Sequence, residues 1–357
     1  MELSLLSRVP VLVWGPPGAG KSATIVSWAK KKGLPCWIVV ASVREPADFG
    51  GLPVVDSSSG SVRFAPPSFA KEASERGGLV FLDELTTAPP AVQAALLRAV
   101  LDLAFGDLKL DPSRVALVAA ANPPEEAAAG WDLAPPLANR FSHVSYRLSV
   151  EEWTERFPGY WEEPPALHFG GERLPEEEWA GARSLVAAFV RSRPALLHAM
   201  PKDESKRGQA WPSPRSWDFA SRLVAASGAS ASAEVLPLVA SCVGDGAAVE
   251  FAAWVKEMDL PDAEEILRKP KKYVHPDRKD RAYAVLSAVV QRALARLTEE
   301  RWLAAWTVLS IAAKAGGADV GAAAARSLAR AHEPGLPLPE QELAAFAPML
   351  RAAGMLA

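Results

Sequence analysis

Eight consecutive residues, Gly15-Pro16-Pro17-Gly18-Ala19-Gly20-Lys21-Ser22, have the types and spacing of a loop that grips phosphate. Glycines let successive backbone N–H groups turn inward around phosphate oxygens. A helix opening at Lys21 would point its positive end at the same anion. Lys21 is suited to the β- and γ-phosphates, and the Ser22 hydroxyl to a magnesium ion. The bland alternative is a glycine-rich strand-to-helix turn with no ligand. Further on, Leu79-Val80-Phe81-Leu82 runs into Asp83-Glu84. There Asp83 could hold the magnesium directly or through water, and Glu84 could orient and deprotonate an attacking water. Read alone, the pair could be solvated acids at a strand end. Asn122 ends the run Val115–Ala121, where an amide could hydrogen-bond both γ-phosphate and water; the alternative is a polar turn before two prolines. Arg140 offers an always-charged planar fork for transition-state phosphate, or else a surface salt bridge. Arg215 stands in the first turn of an expected helix, where a cation is disfavoured unless an anion compensates or solvent screens it. Arg44 and Arg98 are weaker interface candidates.

These residues need a frame that holds strand ends level. Val9–Trp14, Trp37–Ala41, Leu79–Leu82, Val115–Ala121 and Val144–Leu148 read as buried strands. Helical patterns at Lys21–Lys32, Pro67–Arg76 and Pro89–Leu103 alternate with them, the last opening on a proline pair suited to a first turn. Such alternation predicts an α/β class with a mostly parallel sheet covered on both faces. Val54–Asp56 and Ser61–Phe64 predict a hairpin about Ser57–Gly60, with a plain surface loop as the alternative. A second short hairpin is expected at Leu103–Leu110. After Ser149 strand signals stop. Glu151–Glu178 reads as a connector rich in Pro, Trp and Glu, Met200–Ala210 as an exposed loop, and the remainder as helical. Ser213-Pro214 supplies a cap and first-turn proline for a helix through Ala226.

Composition narrows the partners. With 357 residues, 49% of them hydrophobic, the chain is long enough for two domains with substantial cores. A net charge of −3 gives no electrostatic reason to expect nucleic acid. Lys269–Lys272 with His275 and Arg278-Lys279 is a basic cluster that reads first as a solvated loop. Cys36 and Cys242 are far apart and outside metal spacing, which points to core thiols in a reducing cytoplasm. Five histidines, His168 among them, show no metal spacing, and the twelve tryptophans are scattered as packing residues would be. No signal peptide is read at the N-terminus, and no apolar run approaches the ~20 residues a membrane span needs.

Taken in order, GPPGAGKS, LVFLDE, VAAANPP, LANRF and PSPRS resemble the P-loop NTPases of the AAA+ class. The likeness is strong from Val9 to about Leu148 and looser beyond. Arg44–Leu52 and the expected hairpin near residues 50–66 resemble the MoxR-like group, CbbQ/NorQ-like members included. The resemblance implies an AAA+ α/β nucleotide-binding domain at 1–150, a connector at 151–180, and a helical lid with a C-terminal helical region at 181–357. It implies ATP and Mg2+ as cofactors. Gly15, Pro16, Pro17, Gly18, Ala19, Gly20, Lys21, Ser22 and Ala23 would hold the nucleotide, and Ser22 and Asp83 the metal. Lys21, Glu84, Asn122, Arg140 and Arg215 would carry catalysis, with Asn122 and Arg215 as nucleotide sensors. It further implies a homo-hexameric ring in which Arg140 enters the neighbour's site. The expected substrate is a protein partner to be remodelled, one with a von Willebrand factor A domain being the group's usual type; no membrane or nucleic-acid partner is expected. Few residues precede Pro10, so a reduced N-terminal cover over the base is expected. The helices after about Ala315 exceed a compact lid, which makes them a candidate partner surface. Two other functions stay open: an ATPase acting on DNA or RNA, and a nucleotide-gated scaffold with negligible turnover.

Overall fold

The computed structural model describes residues 7–126, 130–159, 176–227 and 235–356. His168 and most of the stretch read as a connector lie outside them. The chain forms two compact units, Met1–Arg147 and Leu148–Ala357.

In the first unit β1 (Val11–Trp14) is followed by α1 (Lys21–Lys31), β2 (Cys36–Val40) and the one-turn α2 (Ala47–Gly50). A hairpin of β3 (Leu52–Val55) and β4 (Val62–Ala65) leads to α3 (Ser68–Arg76) and β5 (Gly78–Asp83). Next come α4 (Pro90–Asp102), a two-residue-stranded hairpin β6 (Ala104–Phe105) and β7 (Leu108–Lys109), and β8 (Val115–Ala121). The short α5 (Pro135–Ala138) and β9 (Ser142–Ser145) complete the unit. Five strands form one parallel sheet in the order β2-β5-β8-β1-β9.

Alternate residues of the central strands pack on opposite faces, as a pleated strand requires. Leu12, Val80, Leu82, Ala119 and Ala121 join Val92, Leu96 and Ala99 of α4 on one face. Val11, Val13, Phe81, Val118 and Ala120 meet Ile25 and Ala29 of α1 on the other. Both faces are covered, so these strands read as unbroken apolar runs rather than alternating ones. The last strand begins two residues before the expected Val144–Leu148 and ends three residues before it does. Its sequence Ser-His-Val-Ser carries little apolar signal at the sheet edge, while Leu148 packs in the core of the second unit.

The first hairpin begins two residues before the expected Val54. Pro53 is tolerated there because a two-stranded ribbon has open edges where its missing N–H costs nothing. The two hairpins are fastened to each other. Asp107 N–H donates to Phe64 O at 3.0 Å, and the Asp107 carboxylate accepts from Phe64 N–H at 2.6 Å. Gly106 N–H donates to Phe49 O at 3.0 Å. Position 106 must be glycine, with φ 59° and only 2.6 Å between an added Cβ and Phe64 O.

The second unit is helical: α6 (Val150–Arg156), α7 (Glu176–Ser192), α8 (Pro214–Ser227), α9 (Val235–Val243), α10 (Asp245–Met258), α11 (Ala263–Arg268), α12 (Lys279–Ala295), α13 (Glu299–Ala312), α14 (Ala318–Arg330), α15 (Glu340–Leu343) and α16 (Ala347–Ala352). One core centres on Phe189, Trp217, Phe251 and Trp254, and another on Trp302, Trp306, Leu309 and Phe346. α14 contributes Val320 and Ala323 to the first and Ala325 and Leu328 to the second, so the helix after Ala315 is part of this packing. Arg326 and Arg330 also pair with Glu155 of α6. The stretch Glu299–Arg330 has the length and composition of a membrane-crossing helix; an 18-residue window of it has mean hydropathy 1.2, and 56% of that window is buried. Gly316, at φ 87°, breaks it between α13 and α14.

Candidate functional site

Register brings the site together. Trp14 pairs with Ala121 on one side and Ser145 on the other, so Gly15, Asn122 and Tyr146 leave the sheet side by side. Leu82 opposite Ala119 carries Asp83 and Glu84 to the same carboxyl-end rim. This rim, where the order of strand winding reverses, is where open parallel sheets bind ligands.

Gly15 N–H donates to Ala121 O at 3.2 Å, fixing the loop's first turn. Gly18 and Gly20 take left-handed φ of 72° and 98°. Gly20 stands at the N-cap of α1 with no side-chain cap, so no side chain competes for the first-turn amides, Ala23 among them. A Cβ on Gly15 would lie 3.1 Å from Tyr146 Cβ and 3.2 Å from Lys21 Cδ, so the cradle is closely walled. Lys21 is only 7% exposed. Its Nζ donates to Gly15 O at 2.7 Å, Pro16 O at 3.0 Å and Asn122 Oδ1 at 2.7 Å. A buried ammonium held by carbonyls across a glycine cradle suits a polyphosphate that would take over those contacts.

Ser22 Oγ donates to Asp83 Oδ2 at 2.6 Å. A hydroxyl and a carboxylate in contact are hard oxygen donors for Mg2+, which takes few protein oxygens and keeps several waters. Among the described residues no group of three or more His, Cys, Asp or Glu offers another metal site.

Among the described residues Glu84 is one of four non-glycine residues with positive φ, at 56°. That conformation costs an L-residue about 1–2 kcal/mol and persists where its surroundings impose it. Here Thr87 donates to Glu84 O from both N–H (3.1 Å) and hydroxyl (2.8 Å), and Glu84 N–H donates to Asp83 Oδ1 at 2.9 Å. Glu84 Oε2 accepts from the Ser42 hydroxyl at 2.7 Å. Thr86, fully buried, donates from Oγ1 to Asn122 O at 3.1 Å.

The structure thus gathers Lys21, Ser22, Asp83, Glu84 and Asn122 at one rim. Arg140 stands apart from that cluster: its Nη1 turns back to Pro136 O, and its buried Nε has no partner. A side-chain route nonetheless joins its segment to the loop. Trp14 Nε1–H donates to His143 Nδ1 at 2.8 Å, which requires the tautomer whose Nε2–H faces Ala138 O at 2.9 Å. Arg215 is exposed in the first turn of α8, in the second unit, behind a Ser213 cap that accepts from Ser216 N–H at 3.2 Å. Arg98 is exposed, and Arg44 is half-buried with an unpartnered Nε.

Ser42, Thr86 and Tyr146 escaped the sequence reading. Tyr146 donates its N–H to Trp14 O at 2.6 Å, and its hydroxyl lies 3.1 Å from Thr24 Oγ1 on α1, so it walls the loop. Its position directly after the last strand is the sole signal that could have found it.

Residues 10–141 match the family model described as AAA domain (dynein-related subfamily). The stretch holds Lys21, Ser22, Asp83, Glu84 and Asn122, and an AAA domain therefore lies within the first unit. No curated protein matches the chain. Among solved structures, a proposed ATPase from Cytophaga hutchinsonii is 17% identical over 68% of this chain and 78% of its own, with a TM-score of 0.33. A single-residue mutant of RuvB from Thermotoga maritima is 16% identical over 85% of this chain and 83% of its own, with a TM-score of 0.37.

Proposed function

We propose that the protein is a cytoplasmic Mg-ATP-dependent AAA+ ATPase of the MoxR-like kind, working as a hexameric ring to remodel a protein partner. The observation that carries the ATPase reading is the joining of Lys21 and Ser22, at the start of α1, to Asn122 and Asp83, at the ends of β8 and β5. The loop amides and the N-terminus of α1 would bind the phosphates, with Lys21 exchanging its carbonyl partners for phosphate oxygens. Ser22 and Asp83 would hold Mg2+, which supplies charge neutralisation on the phosphates when bound. Glu84 would take the proton of the attacking water, and Asn122 would orient that water. Arg140, outside the cluster in its own subunit, would serve the neighbour's site, and Arg215 the nucleotide from the helical unit. A partner with a von Willebrand factor A domain is the class suggested by the likeness of Arg44–Leu52 and the following hairpin to the MoxR-like group. The mass of the Glu84→Gln protein by light scattering, with and without ATP, tests the assembly. A six-subunit mass with ATP supports the ring, and a monomer under both conditions overturns it.

Two variants probe roles within this scheme. Ser42→Ala frees Glu84 from a bond worth about 1 kcal/mol, so turnover is expected to rise roughly fivefold at unchanged KM. An unchanged rate would mean that the bond does not restrain the base. Arg140→Ala should lower turnover by about 10³-fold or more. Mixing with Lys21→Ala subunits, which keep the arginine but lack the phosphate lysine, should restore part of it. No recovery at any ratio would end the trans assignment.

A further inference from the structure

We propose that Thr86 is a positioning residue that ties the strand end bearing Asn122 to the segment bearing Arg140, so that each subunit's own phosphate site sets where its arginine is presented. The inference rests on the trans role proposed for Arg140.

Thr86 is 0% exposed and lies two residues beyond Glu84. It bonds in two directions: its hydroxyl donates to Asn122 O at 3.1 Å, and its carbonyl accepts from Trp131 N–H at 2.7 Å. Gln93 of α4, 1% exposed, adds a second fastening. Its Nε2 donates to Ala88 O at 3.1 Å and its Oε1 accepts from Ala134 N–H at 2.9 Å. Residues 131–134 are thereby fixed to the turn and helix that follow Glu84. From Ala134 to Arg140 the chain is one tight piece. Ala134 O accepts from Leu137 and Ala138, and Arg140 N–H donates to Leu137 O at 3.1 Å, with Leu137 fully buried.

The covalent path from Asn122 to Trp131 passes through residues 123–130. Through Thr86 the same distance is spanned by two hydrogen bonds. A displacement of Asn122 by phosphate would therefore reach the Arg140 segment through Thr86. Packing alone would not select threonine here, because valine has the same shape and no hydroxyl to desolvate. The hydroxyl's contribution is a directional bond to one strand end.

The test uses mixed assemblies of full-length subunits. Arg140→Ala subunits, which hold ATP but lack the arginine, are mixed with Glu84→Gln donors, which hold ATP and keep the arginine but do not turn over. Glu84→Gln donors should stimulate hydrolysis, whereas Glu84→Gln/Thr86→Val donors should stimulate it roughly tenfold less. Glu84→Gln/Thr86→Ser donors, which keep the hydroxyl, should recover the stimulation. Thr86→Val alone should bind a fluorescent ATP analogue with unchanged Kd while kcat falls, which separates positioning from misfolding. Equal stimulation by the donors with and without Thr86→Val would overturn the proposal and leave the trans role of Arg140 standing. Lack of stimulation by Glu84→Gln donors alone would overturn both.

Discussion

Lys21→Ala is expected to abolish measurable ATP binding. The Lys21 ammonium is buried and engages three oxygen acceptors, two of them loop carbonyls. A bound polyphosphate would accept at least two charge-assisted bonds from it, each worth about 1.5–3 kcal/mol. Their loss corresponds to a fall in affinity of about 10²–10⁴-fold. A fluorescent ATP analogue titrated against the variant reads this directly, with thermal melting to show that the fold survives. Retained affinity would remove Gly15–Ser22 from nucleotide binding.

The second large effect belongs to Glu84→Gln. Glutamine keeps an oxygen to accept from Ser42 and leaves the main-chain bonds that hold the left-handed backbone in place. It cannot take a proton from water. Turnover should fall by about 10²–10⁴-fold, the usual contribution of a general base, while Kd for ATP stays within a factor of two or so. A single-turnover assay with radiolabelled ATP separates the two quantities. Normal hydrolysis in this variant would take Glu84 out of the chemistry and would favour a water held by Asn122 with another base.

Residues that carry phosphate chemistry were legible because their signal is local. Gly15–Ser22 announces itself by glycine spacing, and Asp83-Glu84 by two acids abutting an apolar run. The three central strands were legible for a related reason, since burial on both faces leaves nothing polar in them. Ser42, Thr86 and Gln93 have no such mark. Each is an ordinary polar residue whose partner lies 36 to 42 positions away across the sheet, counted for the bonds to Glu84, Asn122 and Ala134, and only register makes them neighbours. The edge strand Ser142–Ser145 was displaced in the reading because hydrophobic Val144 and Leu148 drew it toward the next unit. A different kind of oversight hid α6. Ser149 caps it by accepting from Glu152 N–H at 3.2 Å, a Ser-x-x-Glu pattern plainly present, yet the prolines and tryptophans that follow dominated the composition.

The strand order also sets a schedule for synthesis. β1, which leads into the phosphate loop, leaves the ribosome before every other strand of the sheet. Its two neighbours, β8 and β9, are the last two strands of that sheet to emerge. At 5–20 residues per second, the roughly 100 residues between Trp14 and Val115 take about 5–20 s to be made. Throughout that interval an apolar strand has both edges open to pairing with another nascent chain. The hazard is blunted by its own brevity, four residues, and by Pro10 before it and Pro16-Pro17 after it, which cannot donate to a foreign ladder. The prolines that bracket β1 therefore guard the strand before the loop beside it has a pocket to line.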